Sequence, residues 1–306
     1  MGLFRRLSAF FRIWNTRNFA RNIKFMMQHN PDEFILALKD EIIEDCAFEL
    51  DELRDMLLPL KPKVLTRQES LEVLQSNPKS FARFGDGEIA IMQGHSIPFQ
   101  EYDSVLAEKM FKVLKTKRDD MYVGINDNYF HAIPLDSSER ERQFLRAAAP
   151  KLRKFFMEEF NREIQYLNAC CFCGYFRYSE AVYGEIIDVK RKLFEGRKIA
   201  IVTGESVKAK WDYDIFELAA GKQYIEAPSK NAFQEYDSIL DDINRNVGRD
   251  TLLCLILGPT ATVMAADLTD MGYIAWDIGH MAKDYDAYMK RISKDRETNA
   301  KFWSPD

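Results

Sequence analysis

Short apolar segments with the character of buried strands alternate with longer helical segments from residue 66 onward. This alternation predicts an α/β fold: a Rossmann-like, mostly parallel sheet with helices on both faces, preceded by an N-terminal helical segment. The pattern "TRQE" at 66–69 is typical of a capping box and predicts a helix that ends near residue 76. Strands are predicted at 80–84, 121–126, 198–203, 222–227, 251–257 and 273–278.

Helices are predicted between these strands. Gly196, Gly221 and Gly272 each follow a helix, at the position where a left-handed cap residue is expected. Pro150 is expected to break the longest helix. The predicted ranges are 101–117, 138–163, 178–194, 212–220, 231–246, 260–271 and 281–293.

Composition is typical of a soluble globular protein, since 46% of the 306 residues are hydrophobic and 30% are charged. No apolar run reaches the ~18 residues of a membrane-spanning helix, and the N-terminus lacks the cleavage pattern of a secretory signal, so we expect a cytoplasmic location. Three cysteines crowd into "NACCFCGYF" at 168–176. They predict buried structural thiols, with a metal site as the alternative, although one C-x-C without a second pair is incomplete.

The N-terminal segment differs from the rest of the chain. The first 31 residues carry six basic side chains and no acidic one, with phenylalanine and tryptophan between them, whereas residues 32–55 hold ten acidic side chains against two basic ones. The pattern predicts a helix on an anionic membrane surface, at the inner face; a helix docked on its own domain or on a partner subunit of a homo-oligomer is the alternative. The net charge of −5, without a second basic stripe, argues against nucleic acid as a partner. The "PLKPK" break at 59–63 predicts a boundary between residues 1–60 and a main domain at 61–306.

Polar side chains cluster where the predicted strands end, and open parallel sheets bind ligands at that edge. In "LGPTATV", Gly258 and Pro259 turn the chain into a helix, and Thr260 and Thr262 lie beside its free amides. This arrangement favours phosphate, although threonine caps at an ordinary turn give the same pattern.

Two further strand ends carry similar residues. Ser229, Lys230 and Asn231 supply a hydroxyl, a cation and an amide that suit a phosphate or that cap the next helix. The second strand end, "TGES", offers Gly204, Glu205 and Ser206. Glu205 is expected to accept hydrogen bonds from sugar hydroxyls, unless it only faces solvent.

The segment "RFGDGE" places two carboxylates, Asp86 and Glu88, two residues apart at the end of the first main strand, close to Arg83 and Gly85. Together with Ala90 it also fits a dinucleotide pattern, but the acid expected about 20 residues later at the end of the next strand is missing. Paired carboxylates opposite phosphates repel unless a divalent cation lies between them. We therefore predict a Mn²⁺ or Mg²⁺ site, with a solvated turn as the alternative.

Three residues near the last strand extend this prediction. His280 is a candidate third metal ligand, with a structural histidine as the alternative. Asp284 and Asp286 are candidate catalytic acids that activate an acceptor hydroxyl, and solvated positions on a helix surface are the alternative.

Five motifs in order resemble the bacterial GT-D-fold glycosyltransferases: "RFGDGE" at 83–88, "IVTGES" at 201–206, "APSKNAFQEYDSIL" at 227–240, "LGPTATVMAADL" at 257–268 and "DIGH" at 277–280. The resemblance covers about residues 66–290. It implies a metal-dependent enzyme that transfers a hexose, most simply glucose, from a UDP-sugar to a glycan, glycolipid or glycoprotein acceptor, as in bacterial polysaccharide biosynthesis. It also implies a D-x-E metal motif at Asp86 and Glu88.

The match departs from the family at two places. Family members tend to carry an arginine after the "GES" motif, where Lys208 or Lys210 stands in this chain, and glutamates after "DIGH", where Asp284 and Asp286 stand. A nicotinamide-dependent oxidoreductase and a non-catalytic membrane-associated scaffold are the alternative functions.

Overall fold

One sheet of eight parallel strands organises the part of the chain that this computed structural model describes, residues 61–130, 137–204 and 211–302. These residues belong to a compact unit that spans Lys61–Asp306. The predictions for residues 1–60, including the membrane-binding helix, lie outside the described residues and stay predictions.

The sheet has the order β1-β4-β3-β2-β8-β7-β5-β6, and each neighbouring pair runs parallel. This topology confirms the predicted α/β class. The strands are β1 (Lys63–Val64), β2 (Ser80–Phe84), β3 (Met121–Ile125), β4 (Gln165–Asn168), β5 (Lys198–Thr203), β6 (Gly221–Glu226), β7 (Leu252–Leu255) and β8 (Ile274–Asp277).

Helices connect the strands, and short polar side chains cap several of them. Thr66 forms the predicted capping box with Glu69, while Asp103, Ser138 and Ser179 accept backbone N–H groups at three later N-termini. The α-helices are α1 (Arg67–Ser76), α2 (Asp86–Met92), α3 (Ser104–Lys115), α4 (Glu139–Glu159), α5 (Glu180–Lys192), α6 (Tyr236–Asn246), α7 (Pro259–Asp270), α8 (Met281–Met289) and α9 (Arg296–Phe302). Two 3₁₀ turns lie at Asp127–Tyr129 and Ala232–Glu235.

The hydrophobic core lies on the central strands. Phe81 on β2 packs edge-on against Phe172, whose ring also contacts Trp276 on β8. All three side chains are fully buried, and the indole N–H of Trp276 donates to the carbonyl of Lys79 at 2.8 Å. Burial of such large rings stabilises the fold and fixes the relative positions of β2 and β8.

Three sequence predictions on the fold are wrong, and two strands were not predicted. No helix forms at 212–220, because Asp286 accepts the N–H groups of Asp212 and Tyr213, and Asp214 accepts that of Phe216, which holds a series of turns.

The other corrections concern single residues and short strands. Helix α4 continues through Pro150 rather than breaking there, since buried side chains on both sides of the proline hold it against the domain. Gly221 begins β6 instead of capping a helix, whereas Gly196 and Gly272 have the expected positive φ of 69° and 85°. Strands β1 and β4 were missed.

The strand order reverses beside β2. The chain runs from β2 through β3 to β4 on one side, and β8, β7, β5 and β6 fill the other side. Such a switch point leaves a crevice beyond the carboxyl ends of the central strands. Among the described helices, none is both long and apolar enough to cross a lipid bilayer.

Candidate functional site

A cavity of about 420 Å³ opens at this edge of the sheet, beyond the carboxyl ends of β2, β3, β4, β7 and β8. Residues from four of the five strand-end motifs, those at 83–88, 227–240, 257–268 and 277–280, therefore meet at one cavity. Its lining includes Arg83, Gly85, Asp86, Gly87, Glu88, Phe99, Asn126, Tyr129, Arg140, Glu141, Phe144, Cys170, Cys173, Phe176, Arg177, Ser229, Gly258, Pro259, Asp277, Gly279, His280 and Lys283.

A buried ion pair lies at the centre of the cavity floor. Arg83 on β2 donates from Nε to the carbonyl of Asp277 at 2.7 Å and from Nη2 to its carboxylate Oδ1 at 2.8 Å. Nη1 donates to the carbonyl of Ala169, after β4, at 3.0 Å. One guanidinium thus joins the ends of β2, β4 and β8. Its fork geometry, which lysine lacks, makes these three contacts at once.

Burial and charge act in opposite directions within this pair. Burial raises the pKa of Asp277, and the charge of Arg83 lowers it again in part. Burial alone would lower the pKa of Arg83, but the charge of Asp277 raises it overall. Gly279 leaves space for the guanidinium, because a Cβ there would lie 2.0 Å from Nη2 of Arg83.

The two predicted metal ligands lie at the start of α2. Asp86 is exposed toward the cavity, while Glu88 is half-buried and its Oε2 accepts the N–H of Gly85 at 2.7 Å. Burial, together with the charge of Asp277, raises the pKa of Glu88 to about 7. The site therefore holds a carboxylate whose ionisation a nearby cation would favour.

The donor set fits a cation that substrate oxygens help to hold. Within the described ranges, no group of three or more His, Cys, Asp or Glu side chains could hold a metal. Mg²⁺ in particular is commonly bound by one or two carboxylates with phosphate oxygens and water, and Asp86 and Glu88 both line the cavity. The ring of His280, which also lines the cavity, contacts Phe99 and Phe302 with centroid distances of 5.7 and 5.9 Å, and its role as a third ligand stays a prediction.

Only the first two of the four residues predicted to favour phosphate at the start of α7 face the cavity. Gly258 and Pro259 line it, and Gly258 turns the chain with φ +55°. Thr260 and Thr262 are fully buried and point away, a correction to the prediction. Their hydroxyls donate to Oε1 of Gln100 at 3.2 Å and to the carbonyl of Arg83 at 2.9 Å, so they join α7 to its neighbours.

Ser229 is the member of the 229–231 group that lines the cavity. Gly204, at the end of β5, packs beneath it, since a Cβ on Gly204 would lie 2.3 Å from the Ser229 hydroxyl. Lys230 is exposed and does not line the cavity. Glu205 and Ser206, like Lys208 and Lys210, lie outside the described residues.

Asn231 has a structural role in place of the predicted ligand contact. It adopts a left-handed conformation with φ +52°. Its N–H donates to the carbonyl of Phe99 at 2.9 Å, and its Oδ1 accepts the N–H of Glu101 at 2.8 Å. Asn231 thereby holds the segment that presents Phe99 to the cavity.

Asp284 and Asp286 lie outside the cavity lining, which corrects their assignment as acids that contact an acceptor. Both oxygens of Asp284 accept the N–H of Tyr175, at 3.0 and 3.1 Å. Burial, opposed by the charge of Lys190, raises the pKa of Asp284 to about 6. The buried Asp286 binds the 211–213 turn and pairs with Lys290 at 2.7 Å. Both side chains hold backbone in place.

A cationic wall of the cavity, which contains Arg140 and Arg177, was not predicted. Arg177 donates from Nη1 to both carboxylate oxygens of Glu141 on α4, at 2.8 and 3.0 Å, and the exposed Arg140 lies beside this pair. Lys283 on α8 adds a further cation to the lining. No local signal indicated Arg177, because Glu141 is 36 residues away. The polar segment "SSER" at 137–140, where α4 begins, is the one local signal of a helix N-terminus at this wall.

The fold and the strand-end site define a class of protein, and the family model for the glycosyltransferase GT-D fold matches residues 81–304. The chain belongs to this family, as the resemblance indicated.

Two curated relatives are bacterial proteins. Glycosyltransferase GlyD of Streptococcus pneumoniae serotype 4 (strain ATCC BAA-334 / TIGR4) is 28% identical over 307 residues, which cover 96% of this chain and 34% of that protein. The probable glycosyl transferase Gly of Streptococcus gordonii is 26% identical over 243 residues, which cover 75% of this chain and 33% of that protein. The chain thus spans about a third of the length of these relatives.

Solved structures share the fold. A structure described as the highly conserved domain of unknown function 1792, with a distinct glycosyltransferase fold, is 33% identical with a TM-score of 0.72, covering 78% of this chain and 86% of that chain. A glycosyltransferase with the same domain from Streptococcus sanguinis has a TM-score of 0.70 at 24% identity, over 76% and 86% of the two chains, and shows likeness of fold alone.

Proposed function

We propose that this chain transfers a hexose, glucose in the first instance, from a UDP-sugar to a hydroxyl of a glycan, glycolipid or glycoprotein acceptor. The observation that carries the proposal is the pair of carboxylates at the start of α2, Asp86 and Glu88, beside a buried arginine at a strand-end cavity. Membership of the GT-D family supports glycosyl transfer over hydride transfer or a purely structural role.

Asp86 and Glu88 are the residues that would hold Mn²⁺ or Mg²⁺. When bound, such an ion supplies positive charge against the diphosphate that leaves the sugar. In its absence, two carboxylates would face the negative phosphates across a short distance, which costs several kcal/mol at an effective dielectric of about 20. Burial and the charge of Asp277 raise the pKa of Glu88 to about 7, and a bound cation would favour its ionised form.

Protein groups supply the remaining recognition. Gly258 and Pro259 bring the N-terminus of α7 to the cavity, where backbone amides and the helix dipole favour an anion. Lys283 and Ser229 add a cation and a hydroxyl to the same lining. Fixed donors of this kind stabilise the charge that develops on a leaving diphosphate without reorganising during the reaction.

Asn126 and the cationic wall of Arg140, Arg177 and Glu141 lie in the same cavity, which leaves polar groups for an acceptor. The aromatic side chains of Phe99, Phe144 and Phe176 line the same cavity. Sugars bind to such surfaces through hydrogen bonds from their hydroxyls and through contact of their apolar faces with aromatic rings. This wall is therefore assigned to the acceptor.

A screen of UDP-sugars for Mn²⁺-dependent release of UDP, with and without a glycan acceptor, tests the proposal. Asp86→Asn and Glu88→Gln should each lower the rate on the order of 100-fold, the usual loss when one electrostatic contact to the transition state is removed. Asp270→Asn, which changes an exposed acid that does not line the cavity, is the matched control and should leave the rate unchanged. Full activity in both cavity variants would exclude the assigned roles, and binding of NADH would favour the oxidoreductase.

A further inference from the structure

Two thiols line the cavity without a role in the proposed transfer. Cys170 and Cys173 follow β4 in a C-x-x-C spacing, and both contribute to the cavity wall. They are 5% and 7% exposed, whereas Cys171 and Cys254 are fully buried and do not line the cavity. The prediction of buried thiols is confirmed for these four residues. Cys170 and Cys173 line the cavity, whereas Cys171 and Cys254 do not.

The local backbone brings the two cavity thiols together. Asn168 fixes the turn, because its Oδ1 accepts the N–H of Cys170 at 2.9 Å and its carbonyl accepts the N–H of Cys171 at 3.0 Å. The thiol of Cys173 then donates to the carbonyl of Cys170 at 3.8 Å, within hydrogen-bond range for sulfur. A C-x-x-C turn of this kind holds two sulfurs at a separation that a disulfide can close.

The surroundings of the pair activate one of its members. The hydrogen bond from Cys170 and the charges of Arg177 and Arg83 lower the pKa of Cys173, against the effect of burial. The same hydrogen bond raises the pKa of Cys170. In contrast, burial raises the pKa of Cys171 to about 12. A thiolate is the nucleophile in exchange with disulfides, so Cys173 is the attacking group and Cys170 the resolving one.

We propose that Cys170 and Cys173 form a modification site in the cavity wall that exchanges with low-molecular-weight disulfides and closes to an intramolecular disulfide. The Cys173 thiolate attacks one sulfur of the small disulfide, forms a mixed disulfide with it and releases the first small thiolate. Cys170 then loses its proton to the released thiolate and attacks the sulfur of Cys173, which expels the second small thiolate.

The exchange balances as a two-electron reaction. The two cysteines lose two electrons and two protons, and the small disulfide is reduced to two thiols. A dithiol reductant reverses the reaction by the same steps.

Closure would alter the site because this turn is bonded to the cavity floor. The carbonyl of Ala169, next to Cys170, accepts the hydrogen bond from Arg83, and the loop that follows Cys173 carries Phe176 and Arg177, which line the same cavity. If the proposed transfer is correct, its rate should fall on the order of tenfold on oxidation and return on reduction, since small displacements of positioning groups have effects of this size.

The experiment incubates the full chain with glutathione disulfide, quenches with an alkylating reagent and maps the cysteines by mass spectrometry. We expect a cross-link between Cys170 and Cys173, with the loss of two hydrogens, forming on the order of 100-fold faster than any adduct at Cys254. This result does not depend on sugar transfer, so it stands or fails separately from the proposed function. Retention of two free thiols at 170 and 173, or a cross-link that involves Cys171, would overturn the proposal.

Single substitutions separate the two roles. C170S should leave a persistent mixed disulfide on Cys173, whereas C173S should leave Cys170 unmodified, and C171S should form the 170–173 cross-link as the unaltered chain does. Each variant is first compared with the unaltered chain by thermal denaturation, and C173A replaces C173S if the serine variant does not fold. A persistent adduct on Cys170 in C173S at the rate of the unaltered chain would contradict the assignment of the attacking thiol.

Discussion

Replacing Arg83 by methionine removes the guanidinium that joins three strands while it keeps an unbranched side chain of similar reach. Arg83 and Asp277 have side chains that are 15% and 5% exposed, and the three hydrogen bonds measure 2.7 to 3.0 Å. Loss of one partner of a buried ion pair costs about 3–5 kcal/mol, because the remaining charge is left unpaired. We expect R83M to lower the free energy of unfolding by about 4 kcal/mol at pH 8.

The penalty of R83M should depend on pH. Arg83 lowers the pKa of Asp277, so its removal lets burial raise that pKa further above the unfolded value. An acid with a raised folded pKa binds protons more tightly in the folded state, so its effect on stability becomes less favourable as pH rises from the unfolded pKa to the folded one. The difference between R83M and the unaltered chain should therefore shrink as pH falls toward 4.

Urea unfolding, followed by tryptophan fluorescence at several pH values, measures both effects. The matched control is R118M, because Arg118 pairs with two exposed acids, Asp120 and Asp270, whose side chains are 57% and 65% exposed. Exposed pairs contribute about 0.2–1 kcal/mol each, so R118M should cost much less than R83M. A loss in R83M no larger than that in R118M would refute the reasoning about the buried pair.

Three further predictions concern backbone space, a buried anchor and the N-terminus. G279A should lower the melting temperature more than G94A. Both glycines have positive φ, but a Cβ at Gly279 would lie 2.0 Å from the buried guanidinium, whereas nothing lies within 4 Å of a Cβ at Gly94. Equal losses in melting temperature would contradict this prediction. D284A should cost about 1–3 kcal/mol by leaving the N–H of Tyr175 without its acceptor, and D284N should cost less. Since the pKa of Asp284 is raised to about 6, the unaltered chain should lose stability relative to D284N as pH rises from about 4 to 6, and a pH-independent difference in urea unfolding would argue against this. Deletion of residues 1–31 should abolish binding to anionic lipid vesicles in a sedimentation assay, and unchanged binding would exclude that segment as the membrane contact.

The sheet could be predicted because its strands are short apolar segments between clear helix signals. Strand β4 was not predicted, because "QYLN" at 165–168 is short, begins with an exposed glutamine and ends with a polar asparagine. The helix predicted at 212–220 failed because side-chain carboxylates there accept backbone amides and replace helical bonds. The partner carboxylate of that turn, on Asp286, is 74 residues away, so its effect has no local signature.

Some site residues could be predicted because they lie directly beyond the end of a strand. Asp86, Glu88 and Gly258 line the cavity because position beyond a parallel strand determines their location. Thr260 fits the same pattern but points inward, since the side-chain direction on the first turn of α7 depends on packing against Gln100. Arg177 could not be predicted, because its place is fixed by an ion pair across two distant elements.

The prediction that Asp284 is a catalytic acid was wrong. An acid four residues after a strand-end histidine has the sequence character of a catalytic group or of a solvated helix position. In the structure, Asp284 is neither a catalytic group nor a solvated residue. Its side chain is 1% exposed and holds the backbone of the loop that forms the cavity wall. Burial of a carboxylate against backbone amides depends on the tertiary fold, and a single sequence does not contain that information.

Calorimetric titration of UDP, in the presence and absence of Mn²⁺, tests the central claim that Asp86 and Glu88 hold a divalent ion against a diphosphate. We predict that Mn²⁺ tightens binding of UDP at least tenfold, about 1.4 kcal/mol, and that the double variant D86N/E88Q loses this difference while D270N keeps it. Equal affinity for UDP with and without the metal, or a metal effect of full size in the double variant, would contradict the account.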